Sequence, residues 1–256
     1  VPQWPRECGG GGLSVEEAKI LREEMARISA RPALASFGID MLGPALLKYG
    51  SKEQQQKHLL KIARGEIRWC QGYSEPNAGS DLASVQTEAK DIGDHYRING
   101  SKIWTSNADK ADWIFCLVRT DSDAPKHQGI SFVLFDMQSP GVSTVPIKLI
   151  SGQSPFCQTF FDDVKVPKEN VLGDPSKGFY YLMEGLAEER LIAATQNIAA
   201  AHKAFDLTRT FVMERKIFGK PLSAQQNTQF TLAEMAAEID MAKVYVDKCV
   251  TWLNED

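Results

Sequence analysis

The chain has 256 residues, of which 43% are hydrophobic and 24% are charged, and its formal net charge is −4. This composition is typical of a globular chain with one large or two moderate cores and argues against disorder. The small negative charge supplies no global field for nucleic acid or an acidic membrane. No apolar run reaches the length of a membrane span and the start lacks the blocks of a signal peptide, which predicts an intracellular protein.

The cysteines and histidines form no recognisable metal or disulfide pattern. The five cysteines are scattered and never spaced as C-x-x-C, and the four histidines are isolated from them and from one another. We therefore predict no disulfide framework, no zinc site and no Ser-His-Asp site.

The first part of the chain carries two signals for the start of a helix. Ser14 with Glu17, and Ser51 with Gln54, each fit a capping box, in which two side chains three residues apart bond each other's backbone N–H. Apolar residues at helical spacing follow both signals. We expect an N-terminal α domain over residues 1–67.

The middle of the chain changes to short runs of β-branched and aromatic residues, which predict strands. The dipeptide Asn99-Gly100 fits a tight two-residue turn, which predicts a hairpin within "HYRINGSKIW". We expect a central antiparallel β domain over residues 68–172. The runs are "DWIFCLVRT" from Asp112, "GISFVLFDM" from Gly129, "VSTVPIKL" from Val142 and "TFFDDVKV" from Thr159.

The last part of the chain is helical in two long stretches, divided near "FGKPLS", where Ser223 and Gln226 fit another capping box. Helices of this length are typical of a bundle. Residues 173–256 are therefore predicted to be the first two helices of an incomplete C-terminal bundle. The predicted fold class is α+β, with a helical domain, an antiparallel β domain and a helical bundle in that order.

One loop is unusually polar for its position between two strand-like runs. The stretch "GYSEPNAGSDLAS" combines Gly72 and Gly79, which free backbone N–H groups, with the hydroxyls of Ser74 and Ser80. Such a loop suits an anionic or heteroaromatic ligand. On composition alone, a solvated turn is the alternative.

Familiar nucleotide motifs do not explain this loop. No G-x-G-x-x-G follows a strand, and no G-x-x-x-x-G-K-[ST] is present. Three further stretches stand out: "IWTSNADKADW" from Ile103, "LAEERL" from Leu186 and "ERKIFGKPLSAQQ" from Glu214. Together with the loop, in this order and spacing, they resemble the acyl-CoA dehydrogenase family across nearly the whole chain.

The resemblance implies a fold of a helical domain, a central β domain and a C-terminal four-helix bundle. It also implies that this chain lacks the family's first helices and the last two helices of the bundle. The cofactor it implies is FAD, and the location is the bacterial cytoplasm or the mitochondrial matrix.

The resemblance also assigns roles to residues of the loop and of the following strand. Ser80 would lie near the flavin pyrophosphate and the substrate thioester, and Trp104 would cover one flavin face, although a buried strand aromatic is its alternative reading. Where the family often has "WITNG", this chain has "WTSNA", so the hydroxyl of Ser106 is kept while the following glycine is lost. The implied cofactor residues are Gln71, Tyr73, Ser74, Gly79, Ser80, Trp104 and Ser106.

In the last segment, Arg215, Phe218 and Gln226 correspond to residues that serve the FAD of a neighbouring subunit in the family. A guanidinium suits a pyrophosphate. Each polar residue has another reading: Gln226 as the capping partner of Ser223, and Arg215 as part of a solvated helical face.

The catalytic base implied by the resemblance is Glu189, followed by Arg190 as a substrate-binding neighbour. Long-chain and isovaleryl-type members place the base at this point, whereas most members place it on a later loop that this chain does not reach. Glu189 shares a helix stripe with Leu186 and Ala193, which favours a partly apolar setting. A solvated charge cluster is the alternative.

The function implied is FAD-dependent α,β-dehydrogenation of an acyl-CoA thioester to the trans-2-enoyl-CoA, within fatty-acid metabolism. Electrons would pass to an electron-transfer flavoprotein, and the protein would form a homotetramer or a hetero-oligomer. An acyl-CoA oxidase that uses oxygen and a flavin-free, non-catalytic subunit are the alternatives. The sequence does not specify the length or branching of the acyl group.

Overall fold

The structure is a computed structural model that describes residues 1–255. It divides into two compact units, Val1–Leu182 and a second unit that starts at Met183. Each unit is described by itself. The three domain boundaries expected from the sequence stay predictions.

Three α-helices precede the sheet in the first unit: α1 (Val15–Arg27), α2 (Gly43–Tyr49) and α3 (Lys52–Ala63). Both capping boxes predicted here are confirmed. Ser14 accepts from the backbone N–H of Glu17 at 3.1 Å, and the Glu17 carboxylate accepts from that of Ser14 at 2.8 Å. Ser51 caps α3 in the same way. These reciprocal bonds satisfy N–H groups that the first helical turn leaves unpaired.

The side chain of Gln54 joins α3 to a distant part of the first unit. Its amide Nε2 donates to the carbonyl oxygens of Glu169 at 2.7 Å and Val171 at 2.9 Å. Gln54 is buried, so each lost bond would leave a carbonyl without a partner. A residue predicted only as a capping partner therefore also anchors the helix.

Within the described chain, seven strands form one sheet in the order β1-β4-β2-β3-β7-β6, with β5 paired to β4. The four strand runs predicted from composition are confirmed as β4 to β7. Most pairs are antiparallel, and β1 pairs with β4 in parallel. The strands are β1 (Trp69–Gly72), β2 (Glu88–Asp91), β3 (His95–Ser106), β4 (Trp113–Arg119), β5 (Ile130–Asp136), β6 (Val142–Pro146) and β7 (Phe156–Pro167). The predicted α+β class is confirmed.

The predicted hairpin turn at Asn99-Gly100 is wrong, because both residues lie inside β3. Gly100 has φ 146°, and a Cβ atom there would approach Thr87 Oγ1 to 2.7 Å. Opposite it, the β3–β7 register shifts and Asp163 takes φ 51°. Asn99 and Asp163 exchange two hydrogen bonds of 2.9 Å. The dipeptide therefore marks a close backbone approach beside a bulge in the partner strand.

From Gly178 onward, the described chain consists mainly of two long helices separated by a short hairpin. Helix α4 spans Gly178–Glu214 and α5 spans Gln226–Glu255, with strands β8 (Lys216–Ile217) and β9 (Lys220–Pro221) between them. No helix of residues 1–255 is long and apolar enough to cross a membrane.

The predicted capping box of Ser223 and Gln226 is wrong. Ser223 lies inside a short 3-10 helix that precedes α5, where its carbonyl oxygen accepts a bond of 2.9 Å from the side chain of Gln229. Gln226 is exposed at the start of α5. Its side chain is therefore not held by the cap that its sequence position suggested.

A buried histidine makes the first unit sensitive to acid. His58 packs against Trp69 and Trp113, with ring centroids 5.1 Å and 4.9 Å away. Its Nδ1 has no hydrogen-bond partner within residues 1–255. Burial, followed by the charges of Lys57 and Lys61, lowers the pKa of His58 to about 4. The neutral form is therefore the one that the fold accommodates.

We predict that the stability of the fold falls between pH 6.5 and pH 4 because of His58. In this window the unfolded state binds a proton at His58 that the folded state does not, so the free energy of unfolding decreases as pH falls. Urea unfolding at pH 7 and pH 4.5 should show a loss of about 2 kcal/mol from this group. His58→Phe should remove that part of the loss, and His202→Gln, at an exposed position, should retain it. An unchanged pH dependence in His58→Phe would contradict the prediction.

Candidate functional site

The polar loop after β1 folds back on itself in a tight turn. The backbone N–H of Glu75 donates to the carbonyl of Ala78 at 2.9 Å, and the N–H of Ala78 donates to the carbonyl of Glu75 at 3.0 Å. Pro76 stands at the first central position of this turn, where its fixed φ is favourable. The two backbone hydrogen bonds between Glu75 and Ala78 therefore give this segment a defined conformation.

Beneath this turn, Glu75 and Lys102 form a buried ion pair. Lys102 Nζ lies 2.7 Å from Glu75 Oε1 and donates to the carbonyl oxygen of Tyr73 at 3.1 Å. The carboxylate of Glu75 also accepts from the backbone N–H groups of Gln86 at 2.6 Å and Thr87 at 2.9 Å. The loop, β3 and the segment before β2 thus meet at one carboxylate.

The electrostatics of this pair favour the ionised form of Glu75. The Glu75 side chain is 7% exposed and that of Lys102 is fully buried. Burial alone would raise the pKa of Glu75, but the Lys102 ammonium and the hydrogen bonds outweigh it and lower the pKa below its usual value. At neutral pH the two groups are therefore a true ion pair.

The outer side of the loop offers hydrogen-bond donors. Gly79 and Ser80 are exposed, and a Cβ atom at Gly79 would meet nothing within 4 Å. Their backbone N–H groups donate to no protein acceptor within the described residues 1–255. Exposed, adjacent N–H groups of this kind bind anionic groups well.

The end of β3 runs alongside the loop and carries a bulge. The N–H of Ile103 donates to the carbonyl of Ser74 at 2.9 Å. Lys102 pairs with Thr159 and Thr105 with Cys157, so three steps on β3 face two on β7. The extra residue reorients the strand at this point.

Trp104 lies at this bulge, with φ 60°. Its side chain is 54% exposed and packs edge-on against Phe156, with ring centroids 5.9 Å apart. The alternative reading, a buried strand aromatic, is therefore wrong for Trp104. A left-handed backbone is costly for a bulky residue, and such outliers concentrate at functional sites.

Asn107 forms the turn after β3, where this chain has "WTSNA" and lacks the glycine that the family often has. It takes the left-handed conformation, with φ 54° and ψ 30°, and its N–H donates to the carbonyl of Pro155 at 2.7 Å. Ala108 then begins a short 3-10 helix and needs no glycine. Asparagine tolerates this conformation better than most residues.

Aromatic rings support the start of the loop. Tyr73 is half-buried and meets Phe115 and Phe132 edge-on, with centroids 5.7 Å and 6.1 Å away. Gln71 is half-buried in β1, and its Nε2 contacts the sulfur of Met41 at 3.6 Å. The predicted cofactor residues of this unit thus lie on β1, on the loop that follows it and at the end of β3, and hydrogen bonds join the loop to β3.

These features together fit a flat heteroaromatic group that carries phosphates. An exposed indole can cover a ring system, and adjacent free amides can bind a phosphate. Hydroxyls at Ser74, Ser80 and Ser106 add further donors and acceptors.

The predicted base lies in the second unit, on α4. Glu189 and Arg190 are exposed, as is Ala193, while Leu186 is half-buried. The preceding residue, Glu188, lines a groove of about 280 Å³ together with Leu191, Ile192, Thr195, Gln196 and Val250. Successive residues differ by about 100° around a helix, so Glu189 points to a different side from Glu188.

Phe218 occupies the tip of the β8–β9 hairpin. With Gly219 it forms a two-residue turn in which both residues have positive φ, 50° and 78°. Its ring is 95% exposed. Asn-Gly is the usual choice for this turn, so a phenylalanine here costs stability without gaining burial. Arg215, at the base of the hairpin, is also exposed.

Three family models of one family match consecutive parts of the chain. They are described as acyl-CoA dehydrogenase, N-terminal domain (residues 1–66), middle domain (residues 70–164) and C-terminal domain (residues 176–256). The chain belongs to the acyl-CoA dehydrogenase family. Proteins of this family are FAD-dependent flavoproteins.

Individual relatives agree with this membership. The chain is 43% identical over 197 residues to acyl-CoA dehydrogenase IpdE1 of Mycolicibacterium smegmatis, covering 73% of this chain and 50% of the relative. It thus spans about half the length of this curated relative. A crystal structure of an acyl-CoA dehydrogenase from Geobacillus kaustophilus matches with TM-score 0.84 and 37% identity, over 98% of this chain and 67% of that one.

A second solved structure is described as the electron-transferring flavoprotein of Acidaminococcus fermentans. It matches with TM-score 0.78 and 32% identity, over 99% of this chain and 67% of that one. Like the match to the Geobacillus kaustophilus structure, this match covers nearly the whole of this chain.

The Glu75–Lys102 pair was not predicted from the sequence, although the sequence carries a signal for it. Tyr96, Ile98 and Lys102 are all buried and fall at even positions of β3, so the alternation of this strand places a lysine among core residues. A buried lysine requires a partner of opposite charge. A search for a carboxylate in the neighbouring polar loop would have found Glu75.

We predict that Asn107→Ala lowers the free energy of unfolding by about 1 kcal/mol, whereas Asn107→Gly leaves it nearly unchanged. The Asn107 side chain makes no capping hydrogen bond, so the difference between the variants reports the left-handed backbone. Urea unfolding of both variants measures it. Equal losses in the two would contradict the assigned conformation.

Proposed function

We propose that the protein carrying this chain is an FAD-dependent acyl-CoA dehydrogenase that converts an acyl-CoA thioester to the trans-2-enoyl-CoA. Membership of the family supports this proposal. The structural observation that carries it is the ordered loop with free N–H groups at Gly79 and Ser80, bonded directly to the strand that presents Trp104.

In this proposal the loop and the end of β3 hold the flavin. Bound FAD supplies the acceptor for the hydride that leaves the β carbon of the substrate. The N–H groups of Gly79 and Ser80 bind its phosphates, Trp104 covers one ring face, and Ser106 offers its hydroxyl. The full set in the first unit is Gln71, Tyr73, Ser74, Gly79, Ser80, Trp104 and Ser106.

Glu189 is proposed as the base that removes the α proton of the thioester. A carboxylate held next to a bound thioester can accept this proton once substrate binding has removed water and raised its basicity. Arg190 binds the substrate beside Glu189 and orients the carboxylate. Ser80 contacts the thioester end of the substrate. The exposed positions of Glu189 and Arg190 on α4 leave both side chains accessible to a ligand.

Arg215, Phe218 and Gln226 are proposed to serve the FAD of a neighbouring subunit in a homotetramer or hetero-oligomer. The argument is strongest for Phe218. Its backbone is strained and its ring is 95% exposed, so the residue adds no buried contact that would stabilise its own unit. The Gln226 side chain is exposed and lacks the predicted cap. Arg215 adds an exposed guanidinium suited to a pyrophosphate.

An electron-transfer flavoprotein is proposed as the acceptor of electrons. The family resemblance motivates this choice, and one solved structure that matches the chain has the electron-transferring flavoprotein of Acidaminococcus fermentans in its description. The location in the bacterial cytoplasm or the mitochondrial matrix stays a prediction.

We predict that Glu189→Gln slows flavin reduction by substrate by roughly 10²- to 10⁴-fold, the usual effect of removing a general base. The amide keeps the size and hydrogen bonding of the carboxylate but cannot accept the proton, so FAD and acyl-CoA should still bind. Anaerobic flavin bleaching in a single turnover, with a panel of acyl-CoAs of different length and branching, measures the rate on the full-length protein. Exchange of the substrate's α hydrogen with solvent measures the proton step.

The control for this experiment is Glu188→Gln, which removes the neighbouring carboxylate from a different side of α4 and should leave bleaching nearly unchanged. Retention of both bleaching and α-hydrogen exchange in Glu189→Gln would place the base elsewhere. Steady peroxide release by the wild type would favour the oxidase alternative. A purified wild type that binds no FAD would favour the non-catalytic subunit and contradict the proposed function.

We predict that Phe218→Asn separates stability from cofactor binding. Asn-Gly is the preferred sequence of this turn, so the free energy of unfolding should stay equal or rise by up to about 1 kcal/mol. Loss of the ring should weaken FAD binding. The effect should be larger at the protein concentration at which subunits associate, because Phe218 is proposed to contact the FAD of a neighbouring subunit. Urea unfolding and FAD titration at two protein concentrations test both effects. Unchanged FAD affinity would show that the ring serves no cofactor.

A further inference from the structure

The loop that follows β1 is attached to its surroundings at three consecutive residues. The carbonyl of Tyr73 accepts from Lys102 Nζ at 3.1 Å, and the carbonyl of Ser74 accepts from the N–H of Ile103 at 2.9 Å. The third attachment is the Glu75 side chain, which bonds Lys102 and two backbone N–H groups. Two of the three attachments therefore depend on side-chain charge.

A buried ion pair is a poor source of net stability. The cost of removing two charges from water often equals or exceeds their attraction, and apolar replacements of similar volume are frequently as stable. Its hydrogen bonds are directional, however, and they fix the positions of the groups that they join. The exposed pairs Lys126–Asp81 and Lys168–Asp91 have no such constraint, because water competes for their charges.

We propose that the Glu75–Lys102 pair is a positioning device that sets the distance between the loop and the bulged end of β3, and so prepares both for FAD. Neither side chain contacts the cofactor in this account. Lys102 acts through the Tyr73 carbonyl, and Glu75 acts through the turn that leads to Gly79 and Ser80. The inference rests on the proposed function, because FAD is the ligand that the two segments are expected to share.

The geometry explains why the attachment sits at this point of the chain. Lys102 is two residues before Trp104, and Glu75 is four residues before Gly79. Because the N–H of Ile103 is hydrogen-bonded to the carbonyl of Ser74, the loop and β3 are coupled between the two anchors. A displacement of Glu75 or Lys102 would therefore also displace Gly79 or Trp104, which are only a few residues away. A misplacement of about 1 Å is enough to lose much of a binding or catalytic effect.

The test is the uncharged double variant Glu75→Gln/Lys102→Met. The two N–H groups of Gln86 and Thr87 donate to different oxygens of Glu75. The glutamine keeps one of these acceptors, and methionine keeps most of the lysine stem. We expect the FAD-free variant to fold and to unfold at a somewhat lower urea concentration than the wild type, because one backbone N–H loses its acceptor. We expect its FAD dissociation constant to rise at least tenfold, with faster amide exchange over residues 74–80 and an altered visible spectrum of the bound flavin.

The matched control is Gln54→Met, which breaks the attachment of α3 to Glu169 and Val171 and leaves the loop anchors in place. It should lower stability while keeping FAD affinity and the flavin spectrum. If the double variant does not fold, Glu75→Asp decides, because it keeps the charge that pairs with Lys102 and shortens the side chain by one methylene. A smaller rise in the FAD dissociation constant is then expected, and an unchanged constant would overturn the inference.

Wild-type-like FAD affinity and spectrum in the folded Glu75→Gln/Lys102→Met variant would overturn the inference alone. A loss of affinity no larger than that of Gln54→Met at equal stability would also overturn it, because the pair would then be purely structural. A wild type that binds no FAD would overturn the proposed function and this inference with it.

Discussion

The buried pair of Glu75 and Lys102 is the constraint on which the loop geometry depends. One carboxylate, 7% exposed, receives the lysine ammonium and two backbone N–H groups, and the same ammonium holds the carbonyl of Tyr73. These contacts connect β3, the loop and the segment before β2. Because unpaired buried charges are costly, any displacement of one segment is penalised at both charges. The loop can therefore be polar and still have a defined shape.

Left-handed backbone occurs at or beside two of the places where ligand contacts are proposed, and also at Ser29, Asp163 and Ser176. Trp104 at the β3 bulge, Asn107 after it and Phe218 at the hairpin tip all take left-handed φ values. The aromatic residues pay a steric cost for this conformation, and their rings remain largely exposed. A protein that needed only stability would place asparagine or glycine at these positions. The pattern is consistent with membership of a flavoprotein family, whose cofactor these rings would meet.

The features of this fold that the sequence predicts correctly depend on nearby residues, although the equally local capping box of Ser223 and Gln226 was wrong. The capping boxes at Ser14 and Ser51 require partners three residues away, and the β-branched runs of β4 to β7 carry their own signal. The prediction for Asn99-Gly100 was wrong because Thr87, in the segment before β2, determines the role of Gly100. The bulge at Trp104 depends on the β3–β7 register, and the Glu75 partner is 27 residues away. Loop residues were thus found by family resemblance, while the contacts that hold them were not.

The central claim is that the loop and the end of β3 form one FAD-binding surface. Amide hydrogen exchange of the wild-type protein, with and without FAD, tests it most directly. The account predicts that FAD slows exchange over residues 73–81 and 104–107 together, with the N–H groups of Gly79 and Ser80 among those most affected. FAD binding that protects only one of these segments, or neither, would contradict the account.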